Sequence, residues 1–275
     1  MIQYRNEHAT VFQSVLYQTT STVVQTEDLI LVVDPNWLPN EVEEIQQYVN
    51  RIKGERDIYL LFTHGDFDHI IGYQAFPDAQ TIGSAGLQQH PQKERKLQLI
   101  REFDAKHYVV RNYPLSFPEL DLVIHKDGEK LQVGSTTLTF YQAPGHTADG
   151  LITIVEPQGI VIAGDYLSDF ELPFIYQSAK GYRQTLDKVE HLYESHRVNL
   201  LVPGHGAATA DSVEMQRRLK MASDYLDRLC RAVIENDELA LEALKQEHAF
   251  PSSFTEECHQ ENIQVIRREF IDAHV

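Results

Sequence analysis

Thr63-His64-Gly65-Asp66-Phe67-Asp68-His69 crowds two histidines and two aspartates together directly after the apolar run Ile58-Tyr59-Leu60-Leu61-Phe62. The run is short and rich in β-formers, so it predicts a buried strand with the cluster in the loop at its end. Unpaired carboxylates are too costly to bury as filler, so these four side chains read as a metal site.

Four more apolar runs finish in a potential ligand. Leu29–Val33 ends in Asp34. Residues 137–141 lead through Ala143-Pro144-Gly145 to His146, 160–163 pass Gly164 to Asp165, and 200–202 pass Pro203-Gly204 to His205. Strand ends along one sheet edge can converge on a point, and loops there carry function. The glycines before His146, Asp165 and His205 permit tight turns or close backbone approach. A lone Pro-Gly-His is an ordinary turn; five such endings together are specific.

Around these ends, residues 11–17 and 22–25 suit a hairpin beside a central strand at Leu29–Val33. Asn40 is expected to cap a helix, with Glu43 completing a capping box and Val42, Ile45, Val49 and Ile52 at helical spacing. The acidic run 41–44 reads as a solvated helix start. Residues 92–106 and 182–196 read as helices, and 131–133, 137–141, 151–155 and 160–163 as strands. From Asp211, with Glu214 as its box partner, the sequence is almost wholly helical. Met215, Leu219, Ala222, Leu226, Leu229 and Val233 line one core-facing stripe.

The chain has 275 residues, 42% hydrophobic and 24% charged, enough for one large core with a helical appendage. A net charge of −17 argues against a nucleic-acid partner, whose phosphates need clustered Lys and Arg. The start lacks a leader-like pattern and no apolar run approaches membrane length, so a cytoplasmic protein without membrane attachment is expected. Cys230 and Cys258 make no disulfide framework and read as buried free thiols.

At these motifs the chain resembles the metallo-β-lactamase superfamily of metal-dependent hydrolases, over roughly residues 14–206. His64-x-Asp66-x-Asp68-His69 is similar to its H-x-H-x-D-H signature. Asp34, Pro144-Gly145-His146-Thr147, Ala163-Gly164-Asp165 and Pro203-Gly204-His205-Gly206 match its other four motifs. The resemblance implies a four-layer αββα sandwich over 1–210, with 211–275 as a helical extension packed on it. It also implies two divalent metals. His64, position 66 and His146 would hold the first, Asp68, His69 and His205 the second, and Asp165 would bridge them. Asp34 would support the site without ligating.

Asp66 departs from the pattern, since the family usually carries histidine there. Either its carboxylate replaces the imidazole, or it points outward and leaves the first site weak or empty. Three carboxylates beside four histidines form a harder donor set, which suits iron or manganese, with zinc still possible. Two close cations can bring a bridging water to a near-neutral pKa and polarise a carbonyl or phosphoryl oxygen. By the resemblance, Asp68 orients that nucleophile or accepts its proton. Tyr166, Tyr176 and Tyr182 are candidates to line the substrate pocket and stabilise an oxyanion, and the apolar residues of 169–181 could roof it. His259 is a candidate to contact the site. The remaining eight histidines, His90 and His274 among them, read as surface or local hydrogen-bonding residues.

The expected activity is hydrolysis of a small ester-type molecule: a thioester, lactone or phosphoester. The fold does not choose among them. One alternative is a di-iron oxidoreductase, whose relatives carry a carboxylate at the position of Asp66; another is a metal-binding protein without catalysis. The helices after Asp211 could also provide a homodimer contact.

Overall fold

The computed structural model describes residues 1–248 and 250–272; His274 lies outside them. Seven strands form one sheet in chain order: β1 (Ile2–Arg5), β2 (Ala9–Gln13), β3 (Thr20–Gln25), β4 (Leu29–Val33), β5 (Asp57–Leu61), β6 (Gln80–Ser84) and β7 (Leu122–Ile124). The first four pair antiparallel, and β4 to β7 run parallel. A five-stranded sheet holds β8 (Glu129–Val133), β9 (Thr136–Gln142), β10 (Leu151–Glu156), β11 (Ile160–Ile162) and β12 (Leu200–Val202), with only β11 and β12 parallel.

Alternation along β4 shows how the layers arise. Leu29, Leu31 and Val33 face β9–β12 residues such as Leu138, Leu151 and Val202 in the core between the sheets. Ile30 and Val32 point the other way, onto α1 (Pro39–Ile52) and α4 (Lys93–His107) through Val42, Ile45 and Ile100. On the second sheet Ile152, Ile154, Val161 and Leu201 pack against α5 (Ala179–Ser195), α6 (Ser212–Glu235) and α8 (Ser253–Phe270). The result is the expected αββα sandwich with helices at the C-terminal end. Two four-residue helices, α2 (Phe67–Ile70) and α3 (Ala85–Gln88), sit at strand ends, and α7 (Glu238–His248) lies between α6 and α8. Among the described residues no helix is long and apolar enough to cross a membrane.

Several local expectations need correction. The strand expected over 11–17 ends at Gln13, because Tyr17 and Gln18 take positive φ and turn the chain. Helix α1 starts at Pro39, one residue before Asn40, and Glu41 closes its first turn instead of Glu43. The Glu41 carboxylate accepts from the Leu38 amide at 2.9 Å and from Ser14 Oγ at 2.9 Å, so it is pinned rather than solvated. Asp211 does cap α6, accepting from the Val213 amide, but Glu214 serves Arg217 and Arg218 and makes no box. Cys258 is buried, whereas Cys230 is only partly so.

Candidate metal centre

Parallel strands bring their C-terminal ends to one edge, so β4, β5, β11 and β12 deliver Asp34, the 64–69 loop, Asp165 and His205 to a common place. His146 arrives from the turn after β9. Gly145 there has φ +126, and a Cβ on it would meet the Tyr182 backbone nitrogen at 2.2 Å. Gly204 is needed for proximity: a Cβ there would lie 2.2 Å from Asp165 Oδ1.

The ligand-capable atoms fall into overlapping groups, each with its atoms within 4.8 Å: His64, Asp66 and His146; Asp68, His69 and His205; and His64, His69 and Asp165. Asp165 lies between the first two. Its Oδ2 is 3.1 Å from His146 Nε2 and 3.3 Å from His205 Nε2, while Oδ1 is 3.1 Å from His69 Nε2. Asp66 Oδ2 stands 3.6 Å from His146 Nε2, and Asp68 Oδ2 stands 3.6 Å from both His69 and His205.

The outer ring nitrogens show that the inner ones suit a cation. His69 Nδ1 donates to Asp34 Oδ2 (2.9 Å), His146 Nδ1 to the Phe174 carbonyl (2.9 Å) and His205 Nδ1 to the Tyr17 carbonyl (2.8 Å). When these rings are neutral, the proton held outside leaves an Nε2 lone pair turned inward. Those lone pairs face one another, His64 to His146 at 3.3 Å and His69 to His205 at 3.4 Å. Buried Asp165 Oδ1 has no hydrogen-bond partner among the described residues, although His69 approaches it. Acceptors converging on acceptors are satisfied by cations at the points between them, so the residues fit two divalent metals.

Without a cation, protons take its place among these groups. Burial lowers His146 and His205, but the neighbouring carboxylates, Asp165 foremost, outweigh it and lift both to about 10. Burial and His69 hold His64 well below its ordinary value. Burial works against the charged form of Asp66 as well, yet His146, His64 and Lys96 bring it well below the carboxylate range. Such a cluster shares protons until metals displace them.

The centre opens on a cavity of about 660 Å³. Its apolar wall includes Tyr17, Phe67, Leu99, Phe174, Tyr176 and Phe254, and Glu261 adds a carboxylate from α8. Of the three candidate pocket tyrosines, only Tyr176 lines this cavity; its ring centroid is 5.2 Å from His146 and its hydroxyl contacts Cys258 Sγ at 3.2 Å. Tyr166 is buried, accepting from the His146 amide and donating to the Pro144 carbonyl, so it builds the turn instead of facing the cavity. Tyr182 is buried against it, ring centroids 4.5 Å apart. Of the 169–181 roof, Phe174, Tyr176 and Gln177 line the cavity while Leu172 and Ile175 sink into the core. His259 packs inside α8 with Nδ1 at 2.8 Å from the Tyr225 hydroxyl and does not line the cavity; His90 does.

Sequence reasoning missed three contributors. Thr19 Oγ1 donates to Asp68 Oδ2 at 3.2 Å, Thr63 donates twice to Asp34, and Lys96 of α4 pairs with Asp66 Oδ1. Threonine at a strand end carries no distinguishing signal. Lys96 lies in a run, Lys93-Glu94-Arg95-Lys96, that reads as solvated helix surface.

Comparison with known proteins gives a consistent result. The family model described as Metallo-beta-lactamase superfamily matches residues 15–205. A metallo-beta-lactamase type 2 of Bacillus sp. (strain 170) is 25% identical over 187 residues, covering 67% of this chain and 65% of that protein. A coenzyme F420H(2) oxidase of Methanothermobacter marburgensis is 22% identical over 247 residues, covering 77% and 55%. The chain thus spans under two thirds of either relative's length. A sec-alkylsulfatase of Pseudomonas sp. shares the fold with a TM-score of 0.71 at 12% identity, over 98% of this chain and 50% of that one. A metallo-beta-lactamase family protein of Thermus thermophilus does so with 0.65 at 16% identity, over 96% and 94%. The five strand-end motifs, the αββα sandwich and the family match over most of the chain agree: the protein belongs to the metallo-beta-lactamase superfamily.

Proposed function

We propose that the chain is a dinuclear metal-dependent hydrolase of a small ester-type substrate, a thioester, lactone or phosphoester. The observation that carries this reading is the pair of His/carboxylate groups sharing Asp165 at the floor of a mostly apolar cavity. Apart from histidines, Lys96 is the only cationic side chain lining that cavity among the described residues, and it is engaged by Asp66. A neutral acyl body therefore fits better than a polyanion, which ranks thioester and lactone ahead of phosphoester.

Bound zinc, iron or manganese would supply Lewis acidity and an activated water near neutral pH. Asp68 is the carboxylate that would hold that water's proton: Thr19 donates to its Oδ2 and orients the side chain beside His69 and His205. Phe174 and Tyr176 exclude bulk solvent from the His146 side. The test is a panel of thioesters, lactones and phosphoesters assayed with each metal. His146→Ala should abolish turnover while the protein stays folded. Unchanged turnover in Asp68→Asn would remove the role given to Asp68.

A second reading, oxidation of a reduced cofactor, is favoured by the carboxylate at position 66 and by the similarity to the F420H(2) oxidase. Iron retained on purification, with oxygen consumption driven by F420H2 and no esterase activity, would replace the first reading with this one.

A further inference from the structure

Lys96 and Asp66 stand 30 residues apart in sequence and meet at the rim of the candidate metal centre. Lys96 Nζ binds Asp66 Oδ1, so only Oδ2 is left to face His146 at 3.6 Å and His64 at 3.8 Å. The pair is largely shielded, the side chains being 18% and 13% exposed. A lysine is held at such a depth only when a partner compensates its lost hydration. Helix stability does not explain its place either. Helix α4 opens with Lys93, Arg95 and Lys96, at the end where the macrodipole favours anions.

The charge of the centre supplies an explanation. Asp66, Asp68 and Asp165 against two divalent cations leave one net positive charge, and Lys96 restores a second. An aspartate with a lysine on its outer oxygen is neutral overall and presents one donor atom inward, as a single imidazole does. We propose that Lys96 is a positioning residue that makes Asp66 a one-oxygen, charge-compensated ligand, and so keeps the first site from becoming a preferential site for hard cations. A free carboxylate would offer both oxygens and its full charge, which harder cations such as manganese reward more than zinc does. The inference rests on the metal-centre reading of the same residues.

The test is competitive titration of the metal-free protein with zinc and with manganese, for wild type, Lys96→Met, Lys96→Arg, Asp66→His and the Asp66→His/Lys96→Met double variant. Circular dichroism checks that each is folded. Lys96→Met should shift first-site selectivity toward manganese by about tenfold, in the range for residues that orient metal ligands. Lys96→Arg, which keeps the charge and the hydrogen bond, should retain the wild-type ratio. With histidine at position 66, the additional Lys96→Met change should leave the ratio where Asp66→His put it. A Lys96→Met ratio within twofold of wild type, with two metals bound, would overturn the inference and leave the metal centre standing. Wild-type protein that binds neither metal would overturn the metal centre and the inference with it. Should Lys96→Met fail to fold, an Asp66→His ratio equal to wild type would support the equivalence, and one shifted toward zinc would overturn it.

Discussion

The Asp34 carboxylate accepts from the Thr63 amide at 2.9 Å, from Thr63 Oγ1 at 2.5 Å and from His69 Nδ1 at 2.9 Å, all of it buried. Burial raises its pKa, and those donors work against the rise, His69 first. It therefore fixes which nitrogen of His69 turns inward. Asp34→Ala should weaken metal binding by roughly 10–100-fold without removing any ligand, measured by competition with a chromophoric chelator. An unchanged affinity would show that His69 orients itself. At this scale the sequence was largely legible, because Asp34 and the His64–His69 cluster follow unmistakable apolar runs. Tyr176 does line the cavity, but the places of Tyr166 and Tyr182 were not legible. Tyr166 adjoins Asp165 in sequence, yet the turn at Gly164 sends its hydroxyl to the 143–146 backbone, a direction that spacing alone does not encode.

Helix α6 shows an interaction at the scale of an element. Glu214, in its first turn, accepts from Arg217 at 2.5 Å and from Arg218 at 2.8 Å, and buried Arg218 reaches on to the Ala207 carbonyl just past His205. These contacts, Arg217 first, hold the Glu214 pKa at about 2. A carboxylate depressed in the folded state stabilises above its unfolded pKa, and that stability is lost as pH falls from about 4.5 toward 2. Glu214→Gln should therefore flatten the acid limb of stability in that window, by on the order of 1 kcal/mol after discounting for solvent screening. Urea unfolding at pH 6 and pH 3 measures it; a difference between the two pH values identical to wild type would rule the interaction out. The helix itself was readable from its 3.6-residue stripe and its Asp211 cap. Strands β1, β6 and β7 were not, since Gln80-Thr81-Ile82-Gly83-Ser84 is too polar to stand out as a strand and gains its order from β5 beside it.

Across the whole molecule, the candidate ligands come from both sheets: His64 to His69 follow β5, while His146, Asp165 and His205 follow β9, β11 and β12. Metals bound there would join the two halves of the sandwich and would bind only the folded state. At a thousandfold excess over the dissociation constant this linkage is worth about 4 kcal/mol. Thermal unfolding with and without a chelator should differ accordingly, and coincident melting curves would exclude a structural contribution from metal. Another consequence lies in the outer wall of the cavity. Phe254 and Glu261 sit on α8, far along the chain from every metal-ligand candidate, and the helix is tied to the roof through Asn262, which accepts from the Ile175 amide and donates to the Pro173 carbonyl. Part of the cavity wall is thereby encoded far from the strand-end motifs. Under the proposed activity, substitutions at Phe254 or Glu261 would reshape what the cavity admits while every candidate metal ligand stays in place.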